Sequence, residues 1–433
     1  MNSPCELLLD IGGSNTKLQI WVEGTCRATF SVAATPVTRG SRGDATIDTA
    51  RFLDDLRKAI QKLPADIPDF TKVALTGQMA SFLFVDRKGN PVGPIISWQD
   101  ERSLNTNSGD KSILQRTVHS LAEFGYVPWD GVRAGLPLIY LSILAEEGSI
   151  PPESRLLSIT QFAAISLYPK IDPWMIPMHE SEAAATGLFN TITGVWDFEL
   201  ANFLGIPLTV LPSVELTYKA LNALGNDEPE VMIPVGDFQA AVHGIQLRED
   251  EVFIHIATGG QVAVLESKQD ASTAAKWTSE GIQIRPSLEK GKILLARTHL
   301  PAGRLLASAE QMLRRTASDD AWQLVDSLVG QECRVDFRFH EATFQLSGLP
   351  VSGVSIETIA CSIINGVHNT FVSFAEQLIH QRIAGAVFSG GALTRLPRFV
   401  ERFKKQLRLH QSRNPNTEDS SLSGLARLNH LYH

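Results

Sequence analysis

"LLLDIGGSNTKLQIW", residues 7–21, is the stretch on which the reading of this chain turns. Leu7, Leu8 and Leu9 run into Asp10, the chain turns at Gly12 and Gly13, and apolar character returns at Leu18, Ile20 and Trp21. Apolar run, glycine turn, apolar run reads as two strands of a hairpin. Around the turn, Gly12, Gly13, Ser14, Asn15 and Thr16 would expose several backbone N–H groups in a concave nest of the kind that binds phosphate oxygens. A carboxylate beside phosphate repels it, unless a divalent cation sits between them. Magnesium fits, since it is held by one or two carboxylates plus phosphate oxygens. The same residues also read as an ordinary Asp and Gly-Gly hairpin turn.

Working outward, "VFIHIATGGQVAVL" (252–265) repeats the layout, with Thr258, Gly259 and Gly260 at its turn. Two such units suggest a duplicated architecture whose halves face each other. In "GAVFSGGALTRLPRFVERF" (385–403) a strand ends at Ser389, Gly390 and Gly391, and a helix follows with Phe399, Val400 and Phe403 on its buried side. Close backbone approach at two glycines admits a flat base or ribose; a tight strand-to-helix turn needs the same residues. "PVGDFQAAVHGI" (234–245) ends a strand at Gly236 and starts a helix at once. Asp237 there is either a helix cap or a base at a strand end facing a cleft, where open α/β sheets place their chemistry.

"GPIISWQDERS" (93–103) sets Trp98 beside Asp100, Glu101 and Arg102. An indole face packs on the C–H surface of a polyhydroxylated ligand while charged groups fix its hydroxyls; a solvated loop with an internal ion pair is the alternative. "LTGQMASF" (75–82) ends another strand at Gly77 and Gln78 and reads as part of the same wall.

The chain has 433 residues, 43% hydrophobic and 20% charged, with a net charge of -8. That length favours two domains, and the charge argues against general nucleic-acid binding. Strand-like and helix-like stretches alternate, "DTARFLDDLRKAIQKL" (48–63) being the clearest helix, so the class is α/β. The stretch 224–236 reads as a boundary, a polar, proline-containing segment leading into an apolar strand, and 410–424 as a polar loop before a short final helix. Cys5, Cys26, Cys333 and Cys361 form no CxxC pair, which reads as a reduced, cytoplasmic protein without structural zinc. The amino terminus has no signal-peptide pattern and no 18-residue apolar run occurs, so a soluble, untargeted chain is expected.

The order of these elements resembles the FGGY family of carbohydrate kinases, in the actin/hexokinase/Hsp70 superfamily. The likeness spans residues 7 to about 425. Within the family it is nearest to sedoheptulose kinases, on "SWQDERS", "ATGLFNT" (185–191), "GDFQAAVHGI" and "IHIATGGQVAVL". The resemblance implies two actin-like (ribonuclease H-like) domains flanking a cleft, taken as 1–240 on the sugar side and 241–433 on the ATP side. It implies ATP and Mg2+ as cosubstrate and cofactor, and transfer to a primary hydroxyl of a ketose, sedoheptulose first. Carried over by position, Asp10 and Asp237 become metal-associated carboxylates and Asp237 the catalytic base. Gly12 to Thr16 and Thr258 to Gly260 become phosphate loops, and Gly303, Gly390, Gly391 and Ala392 complete the ATP site. Gln78, Met79, Trp98, Asp100, Arg102 and Asp237 line the sugar pocket. Partners are then a small sugar and ATP, with no nucleic acid and no membrane, and a homodimer allowed.

Four places depart from the family's pattern, one in a phosphate loop and three that bear on the acceptor. Ala80 and Ser81 stand where a sugar-contacting histidine follows Gly-Gln-Met, Gly13-Ser14-Asn15 replaces Thr-Thr-Ser, Glu180 and Glu182 replace an Asp-x-x-Asn, and Pro301-Ala302-Gly303 replaces a Gly-Gly. Xylulose, ribulose or gluconate as acceptor, and a silent nucleotide-binding regulator, stay open beside sedoheptulose.

Overall fold

The computed structural model describes residues 4–64, 66–105, 111–125, 132–221, 228–257, 259–300, 302–314, 320–333, 335–340, 343–348, 353–379, 383–413 and 419–431. The opening stretch forms β1 (Cys5–Ile11) and β2 (Asn15–Val22), an antiparallel hairpin in which Asp10 pairs with Lys17 and Ile11 with Thr16. With β3 (Thr25–Ala33), β4 (Lys72–Gly77), β5 (Glu230–Val231) and β6 (Val235–Gly236) it builds one sheet in the order β5-β4-β1-β2-β3, β6 also pairing with β4. A second sheet comprises β7 (Glu251–Ile256), β8 (Gly260–Ser267), β9 (Gln283–Pro286), β10 (Lys292–Leu300), β11 (Gly385–Ser389) and β12 (Gln411–Arg413), ordered β9-β10-β8-β7-β11-β12.

The two sheets repeat one plan. Each has an antiparallel three-strand meander (β1-β2-β3; β7-β8-β10), and two further strands lie parallel to its first strand (β4, β5; β11, β12). That is the duplication foreseen from the two glycine hairpins. The six-stranded sheets carry separate cores, one around Leu7, Leu9, Val73 and Phe162, the other around Val252, Val264, Ile363 and Phe399.

Helices cover both sheets. α1 (Thr49–Gln61) starts where Asp48 accepts the Arg51 N–H at 2.7 Å and buries Phe52, Leu56 and Ala59, with Leu53 and Ile60 half-buried. α2 (Asp237–Gly244) follows β6 directly. α3 (Ala302–Arg314), α4 (Ile356–Leu378) and α5 (Pro397–Gln406) belong with the second sheet, α5 burying Phe399 and Phe403. α6 (Ser420–Leu431) is the expected final helix, but it returns to the first sheet, where Leu422, Leu425 and Leu428 pack with Leu8, Ala74 and Ala240.

The apolar strand expected at the end of 224–236 forms as β5 and β6, both parallel to β4. Two readings are revised by tertiary contacts. Of the polar stretch 410–424, Gln411–Arg413 forms an edge strand on β11. Cys333 and Cys361, expected as free thiols, form a disulfide with Cα atoms 6.3 Å apart. Spacing could not announce it: 28 residues separate the two, and packing beside α4 brings them within bonding geometry. Cys5 is buried and Cys26 exposed, both free. Alkylation of native protein without reductant therefore labels Cys26 alone, and Cys333 reacts only after reduction, a difference that peptide mass mapping reads. Among the described residues no helix is long and apolar enough to cross a membrane.

Candidate active site

Register assembles the site. Ile11 pairs with Gly77, and Gly77 with Gly236, so the three strands end level at one sheet edge. The Gly12 turn, Gln78 and Asp237, each the next step of its strand, therefore emerge side by side. In the second sheet His255 pairs with Ser389 and Ile256 with Gly260, which brings the second hairpin turn and Gly390 to a common edge. Gly390 is at φ 103°, and a Cβ there would run into the Ile256 backbone, so only glycine lets β11 turn against β7.

Between the edges lies a cleft of about 270 Å³. The first half contributes Gly13, Ser14, Gln78, Met79, Trp98, Gln99 and Asp237, and the second His255, Gly259, Gly260, Arg285, Thr298 and Arg304. A Cβ on Gly13 would lie 3.6 Å from the Trp98 indole nitrogen and 3.8 Å from Gln78 Oε1. The first hairpin and the Trp98 loop thus form one wall. Trp98 is seated there by its backbone N–H, which donates to Ser81 Oγ at 3.1 Å.

The hairpin divides its labour. Gly13 and Ser14 face the cleft, whereas the Gly12 N–H donates to Asn15 O at 3.0 Å and closes the turn, and Asn15 and Thr16 enter the β2 ladder. Gly259 and Gly260 line the cleft, and Thr258 lies outside the described residues, as does Pro301. Gly303 sits in the first turn of α3, next to the cleft-lining Arg304. Gly390, Gly391 and Ala392 stand at the second sheet's edge but not in the lining.

Asp100 and Arg102 are placed apart from the cleft. Arg102 grips Asp100 through two bonds of 2.8 and 2.7 Å, Asp100 also accepts the Ala45 N–H at 2.9 Å, and the guanidinium lies 4.6 Å from the Tyr140 ring centre. They wall a separate small pocket with Phe82 and Ile139. An internal ion pair, bracing the loop that carries Trp98, is the reading this geometry favours. Of the loop, Trp98 and Gln99 reach the cleft.

Asp237 is the first helical residue of α2, with Gly236 as its cap, so capping does not explain it. Its Oδ1 accepts the Phe238 N–H at 2.8 Å. Burial, and next the neighbouring Asp10 carboxylate, push Asp237 up to about 7. Asp10 is itself raised by burial, opposed by the Ser421 hydroxyl and Lys17; its Oδ2 accepts from Ser421 Oγ at 2.6 Å, and its Oδ1 is buried without a hydrogen-bond partner. Two neighbouring buried carboxylates, one with an orphaned oxygen, are costly alone and suit a hard dication. Among the described residues no group of three or more His, Cys, Asp or Glu is set to hold a metal. A two-carboxylate site completed by phosphate oxygens and water fits magnesium.

Of the departures from the family's pattern, the short helix carrying Glu180 and Glu182 lies against the strand end before Asp237. Ser181 Oγ accepts the Gly236 N–H at 2.9 Å and so fixes the strand end, while Glu182 is buried with Oε1 accepting from Thr160 at 2.6 Å. Glu180 precedes it in the same short helix, and burial pushes its carboxyl up to about 7. Ala80 adopts φ 63° where the chain bends after Met79.

Sequence reasoning missed Arg285, Thr298, Arg304, Arg133 and His255, all in the lining. Arg285 is only 2% exposed, its guanidinium 5.6 Å from the Phe238 ring centre and 3.3 Å from Thr298 Oγ1. An arginine inside the apolar strand "GIQIRP" is the one signal that could have marked it.

No protein-family model matches the chain. It is 29% identical over 221 residues to a glycerol kinase of Solidesulfovibrio magneticus, covering 46% of this chain and 40% of that one. It is 24% identical over 282 residues to a xylulose kinase of Staphylococcus xylosus, covering 60% and 55%. The chain spans about half the length of the curated relatives it matches. Among solved structures, xylulose kinase from Lactobacillus acidophilus superposes with a TM-score of 0.80 over 99% of this chain and 90% of that one at 16% identity. Xylulose kinase from Brucella ovis gives 0.78 over 98% and 90% at 18% identity. The sequence is thus similar to glycerol and xylulose kinases over about half of their length, and the fold is that of the solved sugar kinases, two actin-like domains around a cleft.

Proposed function

We propose that this protein is an ATP-dependent carbohydrate kinase that phosphorylates a primary hydroxyl of a ketose, with sedoheptulose the first acceptor to test. The observation that carries the reading is Asp237, raised to about 7 beside Asp10 in a cleft lined by both glycine hairpins. Xylulose, ribulose and gluconate are the competing acceptors. Residues 1–240 form the sugar-side domain and 241–433 the ATP-side domain, apart from α6.

Asp237 Oδ2 takes the proton of the attacking hydroxyl, its Oδ1 being engaged by Phe238. A carboxylate near 7 is a better base than an ordinary one, and it needs only to act late, since phosphoryl transfer depends mainly on positioning and electrostatics. Backbone N–H groups of the Gly13–Ser14 and Gly259–Gly260 turns, with Arg304, stabilise the transferring phosphoryl. Asp10 and Asp237 would hold magnesium, which supplies positive charge to the phosphate oxygens. Trp98 packs on the sugar's C–H face while Gln78 and Gln99 bond its hydroxyls. Gly390, Gly391 and Ala392 flank the adenosine.

The test is ATP consumption with magnesium across ketoses, aldoses, polyols and sugar acids. Turnover that requires one sugar names the acceptor. ATP binding with no sugar-stimulated turnover moves the regulator reading ahead. Because the base works deprotonated, kcat/KM for the sugar falls by about tenfold per pH unit below the carboxyl's value, which is about 7 without metal and is drawn lower by magnesium on Asp10 and Asp237. A profile with no acid limb at any pH where the protein stays folded removes Asp237 from the role of base.

A further inference from the structure

The last helix touches the carboxylate pair at two points. From the N-terminal turn of α6, Ser421 donates to Asp10 Oδ2 at 2.6 Å, and Asp419, just before the helix, forms an ion pair with Lys17, whose strand position is opposite Asp10. Asp10 Oδ1, the remaining oxygen, is buried and unpartnered. α6 also lies directly on α2, the helix that begins with Asp237. A Cβ on Gly424 would collide with Ala240 O of α2, and one on Gly244 with Ser420 O of α6. The two helices therefore meet backbone to backbone, and one rigid unit holds both Asp237 and the donor to Asp10.

We propose that Ser421 is a positioning residue for the metal-binding carboxylate of Asp10. The hydroxyl occupies Oδ2 and fixes the carboxylate rotamer, so that Oδ1 alone is presented to a divalent cation. An O–H···O⁻ bond of this length is charge-assisted and directional, so it sets orientation as well as energy. Carboxylates that ligate metals are oriented by such partners, whose removal costs about 10–100-fold in metal affinity. The sequence gives no sign of it, since Ser421 follows Asp10 by 411 residues. The inference rests on the assignment of Asp10 to the metal in the proposed function.

The experiment measures Mn2+ binding to the full chain with ADP by electron paramagnetic resonance, for wild type, Asp10→Asn, Ser421→Ala and Ser421→Thr, alongside thermal melts of each. The expected result is loss of tight Mn2+ binding in Asp10→Asn, about tenfold weakening in Ser421→Ala and recovery in Ser421→Thr, with the Ser421 variants melting within about 2 °C of wild type. Wild-type affinity in Ser421→Ala, or weakening that comes only with a matching drop in melting temperature, overturns the positioning role while Asp10 keeps its own. Undiminished Mn2+ binding in Asp10→Asn instead sinks the metal assignment, and this inference with it.

Discussion

Asp237→Asn lowers kcat by about 10³-fold, while ATP still binds with near wild-type affinity. The amide keeps the shape of the side chain and can hold the same place at the start of α2, but it cannot take a proton at Oδ2. Its effect on stability has the opposite sign. The folded-state carboxyl is raised to about 7, so between its ordinary value and about 7 the folded protein holds a proton that the unfolded chain has released. Stability contributed by that proton is lost as pH climbs through this window, and the neutral amide escapes the loss. Without metal, Asp237→Asn therefore melts higher than wild type at pH 8. Activity in the variant within tenfold of wild type removes the base; loss of activity together with a lower melting temperature at pH 8 reduces the effect to misfolding. The opposition of the two signs marks a residue kept for chemistry at a cost in stability.

Gly424→Leu destabilises the protein by about 2–3 kcal/mol, because the added side chain has no room at the crossing of α6 and α2. Gly424 faces the Ala240 carbonyl of α2, and Gly244 faces the Ser420 carbonyl of α6. Each glycine opens the space that the other helix fills, so neither helix can shift without losing Leu422, Leu425 and Leu428 from their shared core. Urea denaturation measures the loss. Gly391→Leu, whose Cβ direction is open and whose backbone is not left-handed, serves as the comparison for stability at an exposed position. A Gly424→Leu midpoint equal to that of wild type contradicts this seating of α6. Since α6 carries Ser421 and α2 carries Asp237, the variant also loses activity at temperatures where it remains folded.

Local signals were enough for the hairpins, the α/β class and several elements. In the opening stretch, three leucines before the Asp10 strand end and a glycine pair at the turn leave one sensible local structure, and the Thr258–Gly260 repeat marked the duplication that the two sheets display. Gly236–Asp237 read correctly as a strand running straight into a helix. For the WQDERS loop the sequence left a ligand wall and an internal ion pair both open, and Asp100 and Arg102 form the ion pair. A charged cluster cannot reveal from its letters whether its ions face a ligand or one another. The disulfide and the return of α6 to the first sheet were also beyond local reading.

What the sequence by itself determined is therefore the set of strand ends, glycine turns and carboxylates from which a phosphate-handling cleft can be made. Those features are local: hydrophobic periodicity and backbone freedom act over a few residues. What only the tertiary structure decided is which of them meet. Parallel pairing sets Ile11, Gly77 and Gly236 level, so that Asp10, Gln78 and Asp237 converge. Helix packing carries Ser421 onto Asp10 across 411 residues. Both depend on long-range burial and register, which no short window of sequence contains, and it is the crowding they impose that moves Asp237 into the range where a carboxyl can serve as a base.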